Sequence, residues 1–387
     1  MAKPIYLDYS ASTPVDKGVQ TAMAPYFGTI FGNPHALHRF GQQASAAVFD
    51  ARRTIGKALG ADYKEIVFTG SATEANNLAI RGIVSAYRAN HKSKPKIVTS
   101  AIEHESILET CRALEKEGVE VAYIPVSGHG FVDMAKLKAA IDKRTILVSI
   151  MHANNEVGTI QPLQEIAKII AEQRGEGAYP LLHTDAVQSF QYVECGVNQL
   201  GVDLMTLSAH KIYGPKGIGV LYIKNLQDRK NSLQPIITGS GQEFGLRSGT
   251  DNVPYIVGFA KAVEITERLR EKESARIGKL REYFWKNLHA ALPKLKLNGA
   301  VESRLPNNLN IYFPGRKAQE LLIELDLAGI AVSPGAACST RVSRASYVLE
   351  EMGFPAERAT GSLRFSLGRQ TTKSDLDYAT KQLARMF

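Results

Sequence analysis

The chain has 387 residues, of which 44% are hydrophobic and 22% charged, the proportions of a globular protein with one or two packed domains. Lys and Arg outnumber Asp and Glu by 47 to 38, which gives a net charge of +9. The basic residues are spread along the chain, and the densest run, His91–Lys96, is short. Direct nucleic-acid binding is therefore not expected. No apolar run is long enough to span a membrane and the N-terminus lacks an apolar signal core, which predicts a cytoplasmic protein without a membrane partner.

Short apolar runs rich in β-branched residues alternate with amphipathic stretches through the first part of the chain. In order, the runs are EIVFT, KIVTS, TILVSI, YPLLHTD, DLMTLS and GVLYIK, and the first two precede ATEANNLAIRGIVSAYR and SILETCRALEKEG. This alternation predicts βα units around a mainly parallel sheet. Runs that are apolar throughout are typical of strands covered on both faces.

The pattern changes after about Pro254. Apolar residues then recur at three- and four-residue spacing among many charged ones, at Ile277, Leu280, Phe284, Leu288 and Leu292, which predicts a long amphipathic helix. Beyond it, NNLNIYF and SLRFSLG are typical of strands, and AQELLIELDLAG and KSDLDYATKQLARM of helices. We therefore predict an α/β protein with a large domain over residues 16–262 and a smaller α+β domain formed by residues 1–15 and 263–387.

The three cysteines, Cys111, Cys195 and Cys338, are widely spaced and form no CxxC pair. An odd number at such spacing argues against a disulfide framework and against a zinc site. No metal site is expected, and each cysteine alone is most simply a small buried hydrophobic residue.

Polar residues cluster where predicted strands give way to helices. In FTGSATEANNLAI a strand ends at Thr69 and a helix begins near Ala72. Free N–H groups at such a helix start bind anions, and Thr73 adds a hydroxyl, although Ser and Thr are also common as plain helix caps.

Two further corners carry titratable groups. HTDAVQS places Asp185 and Gln188 just beyond a strand, where ligands lie in open α/β sheets. The Asp185 carboxylate could pair with a protonated ring nitrogen of a ligand or simply cap a helix. IEHES places His104 at another strand end, where a capping or packed histidine is the simpler interpretation.

The last two corners are MHANNEVG, which contains Asn154, Asn155 and Glu156, and SAHKIYGPKGIG, which contains His210 and Lys211. A lysine beside a glycine-rich loop can be a solvated surface residue, a phosphate ligand or the covalent attachment point of a cofactor. Five polar clusters at strand-to-helix corners together favour one shared cleft.

Taken together, these motifs resemble those of a known family, the cysteine desulfurases of the class V pyridoxal-phosphate-dependent aminotransferases. Within this family, the chain resembles the branch that serves iron–sulfur cluster and nitrogenase assembly. The matching stretches run in the family's order, as YLDYSASTPVD, FGNPHALHRFG, FTGSATEANNLAI, EHESILET, SIMHANNEVGTIQ, HTDAVQS, SAHKIYGPKGIGVLY, RSGTDN, SPGAACST and LRFSLGR. The resemblance implies the fold type I, aminotransferase-like architecture with pyridoxal 5'-phosphate as the cofactor.

The resemblance also implies roles for the matching residues. Lys211 would bind the cofactor covalently, Asp185 would hold its pyridine nitrogen protonated, and Gln188 would contact the ring hydroxyl. The cofactor phosphate would be held by Ala72, Thr73, Ser208 and His210, with Thr250 reaching the site of the other subunit in a homodimer. His104 would stack on the ring and shuttle protons. Arg364, helped by Asn155, would bind the carboxylate of the substrate L-cysteine.

Cys338 lies in SPGAACSTRVSRAS, a stretch rich in small residues and typical of a mobile loop. Arg341 and Arg344 lie nearby in sequence, and positive charge favours the thiolate. The resemblance implies that this thiol, on the smaller domain, takes the substrate sulfur as a persulfide and passes it to an acceptor, a cluster scaffold or a thiolation protein. The chain ends soon after Arg364, whereas housekeeping members of this branch extend further with a tail that helps dock the scaffold.

Two alternatives remain beside a cysteine desulfurase. One is a selenocysteine lyase or another class V enzyme, from which Cys338 distinguishes a desulfurase, because transamination needs no mobile cysteine. The other is a non-enzymatic sulfur carrier or scaffold, against which the presence of Lys211, Asp185 and His104 argues.

Overall fold

The computed structural model describes residues 4–226, 233–335 and 345–387. The strands are β1 Ile5–Tyr6, β2 Ile66–Thr69, β3 Lys96–Ser100, β4 Glu120–Ile124, β5 Thr145–Ser149, β6 Leu181–Asp185, β7 Leu204–Ser208, β8 Gly219–Ile223, β9 Lys296–Asn298, β10 Asn308–Tyr312, β11 Ile330–Ala331 and β12 Ser362–Ser366. The helices are α1 Lys17–Met23, α2 Arg39–Leu59, α3 Ala72–Asn90, α4 Glu105–Lys116, α5 Met134–Ala140, α6 Leu163–Arg174, α7 Val197–Leu200, α8 Val253–Ala291, α9 Ala318–Leu327, α10 Tyr347–Glu351, α11 Ala356–Thr360 and α12 Lys373–Arg385.

The main sheet has the strand order β2-β8-β7-β6-β5-β3-β4 in the described part of the chain. Strands β4, β3, β5, β6 and β7 pair in parallel, and β8 runs antiparallel to both of its neighbours, β7 and β2. Apart from the edge strand β4, these strands are buried along their whole length, as expected for a sheet covered by helices on both faces. The predicted α/β class with a mainly parallel sheet is confirmed.

A second, smaller sheet has the order β12-β10-β9 and is antiparallel. Its apolar residues form a separate core with side chains of α8, α9 and α12, among them Phe284, Leu321 and Leu376. The N-terminal strand β1 pairs in parallel with β11, so the start of the chain packs beside its last quarter.

Helix α8 contacts both cores. Its first third, including Ile256, Phe259 and Val263, packs into the core of the main sheet, whereas Ile277 and Phe284 belong to the second core. The predicted division at residues 262 and 263 lies inside this helix, and it stays a prediction. No helix in the described ranges combines the length and apolar character that crossing a bilayer requires.

Candidate active site

One cavity of about 390 Å³ lies at the carboxyl ends of the parallel strands. Because parallel strands end at the same edge of a sheet, the turns that follow β2, β3, β5, β6 and β7 all reach it. Ten of the predicted site residues line its wall: Ala72, Thr73, His104, Asn155, Asp185, Gln188, Ser208, His210, Lys211 and Arg364.

Two predicted residues are not among them. Thr250 is exposed and lies outside the cavity wall. Cys338 falls outside the described residues, as do Arg341 and Arg344. The residues that flank this part of the chain, Gly335 and Tyr347, both line the cavity.

Lys211 lies in a short turn, Ala209–Lys211, directly after β7. Its Nζ donates hydrogen bonds to the carbonyl oxygens of Ser10 at 2.6 Å and Ala11 at 2.8 Å. Gln188 Nε2 also donates to the Ser10 carbonyl, at 3.0 Å. The N-terminal segment thus forms one wall of the cavity and fixes the amine, a role that the sequence did not indicate.

Asp185 ends β6 with only 7% of its surface exposed. Its Oδ1 accepts a hydrogen bond from the backbone N–H of Val187 at 2.9 Å, and its Oδ2 accepts one from Asn76 Nδ2 at 2.9 Å. The carboxylate therefore closes a tight turn of its own and does not cap a helix. A buried carboxylate in a cavity suits a cationic group of a ligand.

The N-terminus of α3 forms another part of the wall. Ser71 caps this helix, its side chain accepting from the N–H of Glu74, while Ala72 and Thr73 line the cavity. Strand β8 approaches closely here, because a Cβ on Gly219 would lie 2.5 Å from the carbonyl carbon of Ser71. A helix start in a cavity suits an anion.

His210 lines the same cavity as this helix start, together with Lys211 and Lys216. Burial, together with the nearby charges of Lys211 and Lys216, lowers the pKa of His210 from 6.5 to about 4. The imidazole is therefore neutral at neutral pH, and it can bind an anion through an N–H group without a charge of its own.

Arg364, on β12, is 2% exposed. Its Nη2 contacts Asp8 Oδ1 at 2.8 Å and its Nη1 donates to the Asn155 carbonyl at 2.9 Å. Within the described residues, Arg364 Nε and Asn155 Oδ1 are buried without a hydrogen-bond partner. Buried polar atoms are rarely left unpaired, and both residues line the cavity, so this part of the wall suits a polar ligand.

Two acidic residues were assigned no role from the sequence, Glu156, which lines the cavity, and Glu103, which does not. Burial raises the pKa of Glu103 from 4.5 to about 8, and burial also raises the pKa of Glu156, whose Oε2 accepts from Ser346 Oγ at 2.5 Å. Glu156 was quoted in its motif without a role. Asp8 and Ser10 were likewise part of a quoted motif, but no spacing rule connects them with residues more than 170 positions away.

The comparisons with known proteins agree with this geometry. The aminotransferase class-V family matches residues 5–379 of the chain. Cysteine desulfurase IscS from Dictyoglomus turgidum is 45% identical over 387 residues, which cover 100% of this chain and 95% of that protein. Cysteine desulfurase IscS from Rickettsia typhi is 44% identical over 379 residues, 97% of this chain and 89% of that one.

Solved structures give the same result. A NifS-like protein matches with a TM-score of 0.91 and 36% identity, covering 99% of both chains. SspA, solved in complex with cysteine, matches with a TM-score of 0.78 and 35% identity over 94% of this chain and 98% of that one. The architecture predicted from the resemblance is confirmed.

Proposed function

The chain belongs to the cysteine desulfurases of the aminotransferase class-V family, and from that premise we propose that it converts L-cysteine to L-alanine and retains the sulfur as a persulfide on Cys338. The observation that carries the proposal is the cavity, where a lysine, a buried carboxylate, a helix N-terminus and a buried arginine meet. A non-enzymatic carrier would not need this set of groups.

The residues of the cavity fit pyridoxal 5'-phosphate, the cofactor that the family implies. When bound, this cofactor withdraws electrons from the substrate through its protonated ring. We assign the covalent attachment to Lys211, the pairing with the ring nitrogen to Asp185 and the contact with the ring hydroxyl to Gln188. The phosphate is assigned to Ala72, Thr73, Ser208 and His210, and the face of the ring to His104.

The substrate carboxylate is assigned to Arg364 and Asn155. Arg364 has five N–H donors, and Asp8 and the Asn155 carbonyl engage one each. Three N–H groups remain for a carboxylate, namely the unpaired Nε and the second hydrogens on Nη1 and Nη2. Asp8 holds the guanidinium in place, so that little side-chain freedom is lost when the substrate binds.

Sulfur transfer is assigned to Cys338. Its thiolate forms a bond to the substrate sulfur as the carbon–sulfur bond breaks, and the electron pair stays on the substrate carbon, which takes up a proton to give alanine. The position of Gly335 and Tyr347 in the cavity wall supports this assignment, because they flank the stretch that contains Cys338. The other two cysteines are unsuitable nucleophiles, because burial raises the pKa of both Cys111 and Cys195 to about 12.

We also propose a homodimer in which Thr250 completes the phosphate site of the other subunit. An exposed apolar patch, formed by Phe27, Phe31, Leu37 and Phe40, supports this. The patch neighbours Thr250, because His35 Nε2 lies 3.2 Å from Asp251 Oδ2. The rings of Phe31 and Phe40 lie 5.6 Å apart, and exposed apolar side chains that lie together mark protein interfaces. The sulfur acceptor, a cluster scaffold or a thiolation protein, and the cytoplasmic location belong to the same proposal.

The decisive experiment compares wild-type protein with Cys338→Ser. The variant is expected to bind the cofactor and to show the spectral change on addition of cysteine, but to form no persulfide and almost no alanine. The measurements are alanine released per enzyme and the mass of the peptide that contains residue 338. Cys111→Ser and Cys195→Ser are the matched controls and keep both activities. Full alanine release by Cys338→Ser would contradict the proposal and favour a lyase without a protein persulfide.

A further inference from the structure

His104 lies both at the start of α4 and in the cavity wall, and its hydrogen bonds determine which ring nitrogen carries hydrogen. It is the N-cap of α4, and its Nδ1 accepts a hydrogen bond from the backbone N–H of Ser106 at 3.1 Å. A backbone N–H can only donate, so Nδ1 must offer its lone pair. In a neutral imidazole one ring nitrogen carries hydrogen and the other accepts, and the hydrogen of His104 therefore lies on Nε2.

A series of hydrogen bonds that runs from Asp185 through Asn76 and Ser106 also places the hydrogen of His104 on Nε2. Asn76 Nδ2 lies 2.9 Å from Asp185 Oδ2 and 2.9 Å from Ser106 Oγ, and Ser106 Oγ lies 2.8 Å from His104 Nδ1. The Asp185 carboxylate accepts only, which turns the amide of Asn76 so that its NH₂ group faces both oxygens. Ser106 Oγ then accepts from Asn76, and its own hydrogen is left for His104 Nδ1.

We propose that Ser106 is a positioning residue that holds His104 as the tautomer with hydrogen on Nε2, and that Asp185 sets the direction of the chain through Asn76. Two donors converge on Nδ1, so a proton cannot be added there without breaking both hydrogen bonds. His104 thus presents a hydrogen-bond donor to acceptor atoms in the cavity, such as a thiolate sulfur or an anionic oxygen, and it is a poor base at Nδ1. With Nε2 already protonated and Nδ1 engaged by two donors, the neutral ring has no free site for the thiol proton of Cys338.

The tautomer is measured directly by ¹⁵N spectra of protein labelled with ¹⁵N-histidine, in which protonated and unprotonated ring nitrogens resonate far apart. The wild-type holoenzyme is expected to show an unprotonated Nδ1 and a protonated Nε2 for His104, whose signals are identified by their absence from His104→Gln. Ser106→Ala removes one donor, and Ser106→Pro removes both, since proline has neither the hydroxyl nor the N–H and in the first helical turn breaks no backbone hydrogen bond of the helix. Each lost hydrogen bond is expected to raise the Nδ1–H population by roughly fivefold to tenfold.

Thr110→Val is the matched control. Thr110 lies one turn further along α4 and donates to the Ser106 carbonyl at 2.8 Å, so its loss removes a buried hydroxyl from the same helix without touching His104. Ser106→Thr keeps the hydroxyl and is expected to keep the wild-type tautomer. A wild-type Nδ1–H signal would overturn the proposal, as would identical His104 spectra for wild type and Ser106→Pro.

Only the catalytic meaning of this tautomer rests on the proposed function. The spectra do not depend on turnover, so the two ideas fail separately. Absence of alanine release by the wild type would refute the desulfurase, whereas an unchanged tautomer in the Ser106 variants would refute the positioning role alone.

Discussion

The buried carboxyl group of Glu103 makes the stability of the protein depend on pH in a specific way. Glu103 Oε1 accepts from Ser100 Oγ at 2.6 Å and from the backbone N–H of Met151 at 2.8 Å, whereas Oε2 has no partner in the described part of the chain. Burial raises the pKa of this fully buried group from 4.5 to about 8, and the negative charge of Asp185 adds to the shift. We predict that Glu103→Gln removes the resulting pH dependence.

The sign follows from proton linkage. Between pH 4.5 and about pH 8, folded Glu103 holds a proton that the unfolded chain releases, so the contribution of Glu103 to the free energy of unfolding decreases as the pH rises through this window. The shift spans about 3.5 pH units, and at about 1.4 kcal/mol per unit it corresponds to at most about 5 kcal/mol. Since the carboxyl is still half protonated near pH 8, the wild type is expected to lose about 3 kcal/mol more than Glu103→Gln between pH 5 and pH 8.

The assay is urea unfolding at several pH values between 5 and 8, at one protein concentration, for wild type and Glu103→Gln. The amide has nearly the same shape as the protonated carboxyl, so the comparison depends on the slope with pH and not on the absolute stability of the variant. Glu271→Gln, at an exposed position on α8, is the control and should follow the wild type. Parallel curves for wild type and Glu103→Gln would show that Glu103 is ionised in the folded protein and that the reasoning is wrong.

Two further predictions concern the site and the assembly. Arg364→Gln is expected to lower kcat/KM for cysteine about 10-fold to 100-fold, because a hydrogen bond to a charged group is worth roughly 1.5–3 kcal/mol. The absorption spectrum of the bound cofactor should stay unchanged. An unchanged kcat/KM would show that another residue binds the substrate carboxylate. By light scattering, the wild type is expected to have twice the mass of one chain. Leu37→Glu, at a side chain that is 92% exposed, is expected to weaken both the dimer and the retention of the cofactor. A fully active wild-type monomer would exclude a shared site.

The sheet and its polar corners could be predicted because both leave local signals. A strand covered on both faces is an uninterrupted apolar run, and a polar residue directly after it must lie at the carboxyl edge. Asp185 and Lys211 were found in this way. Strand β4 was missed, because it is an edge strand whose residues are mostly half-buried and whose sequence, EVAYI, mixes polar and apolar side chains.

Helix α8 was predicted only in part, for a related reason. Its second half presents a single apolar stripe, which includes Ile277 and Phe284, and this gives a clear period. Its first half is buried on several sides, at Gly258, Phe259, Ala260, Ala262 and Val263. A helix that is buried on more than one face lacks the alternation of polar and apolar residues on which prediction from periodicity depends.

Contacts between distant segments could not be predicted from spacing at all. Asp8 and Arg364 are 356 positions apart, and Lys211 and Ser10 are 201 positions apart. Which polar atoms form hydrogen bonds with each other is known only from the folded structure, in which these segments lie together. The resemblance to a family supplied a role for Arg364, but it gave no partner that holds the guanidinium in place.

His104 shows why a structural and a functional interpretation of one residue need not compete. The sequence left open whether it caps a helix or serves a reaction, and the structure places it at the N-cap of α4 and in the cavity wall together. The capping bond occupies Nδ1, and for that reason the hydrogen is kept on Nε2. The local rule that begins the helix thus also determines which nitrogen is available as a donor, and a substitution that weakens the cap at Ser106 should alter the chemistry of the ring before it alters the fold.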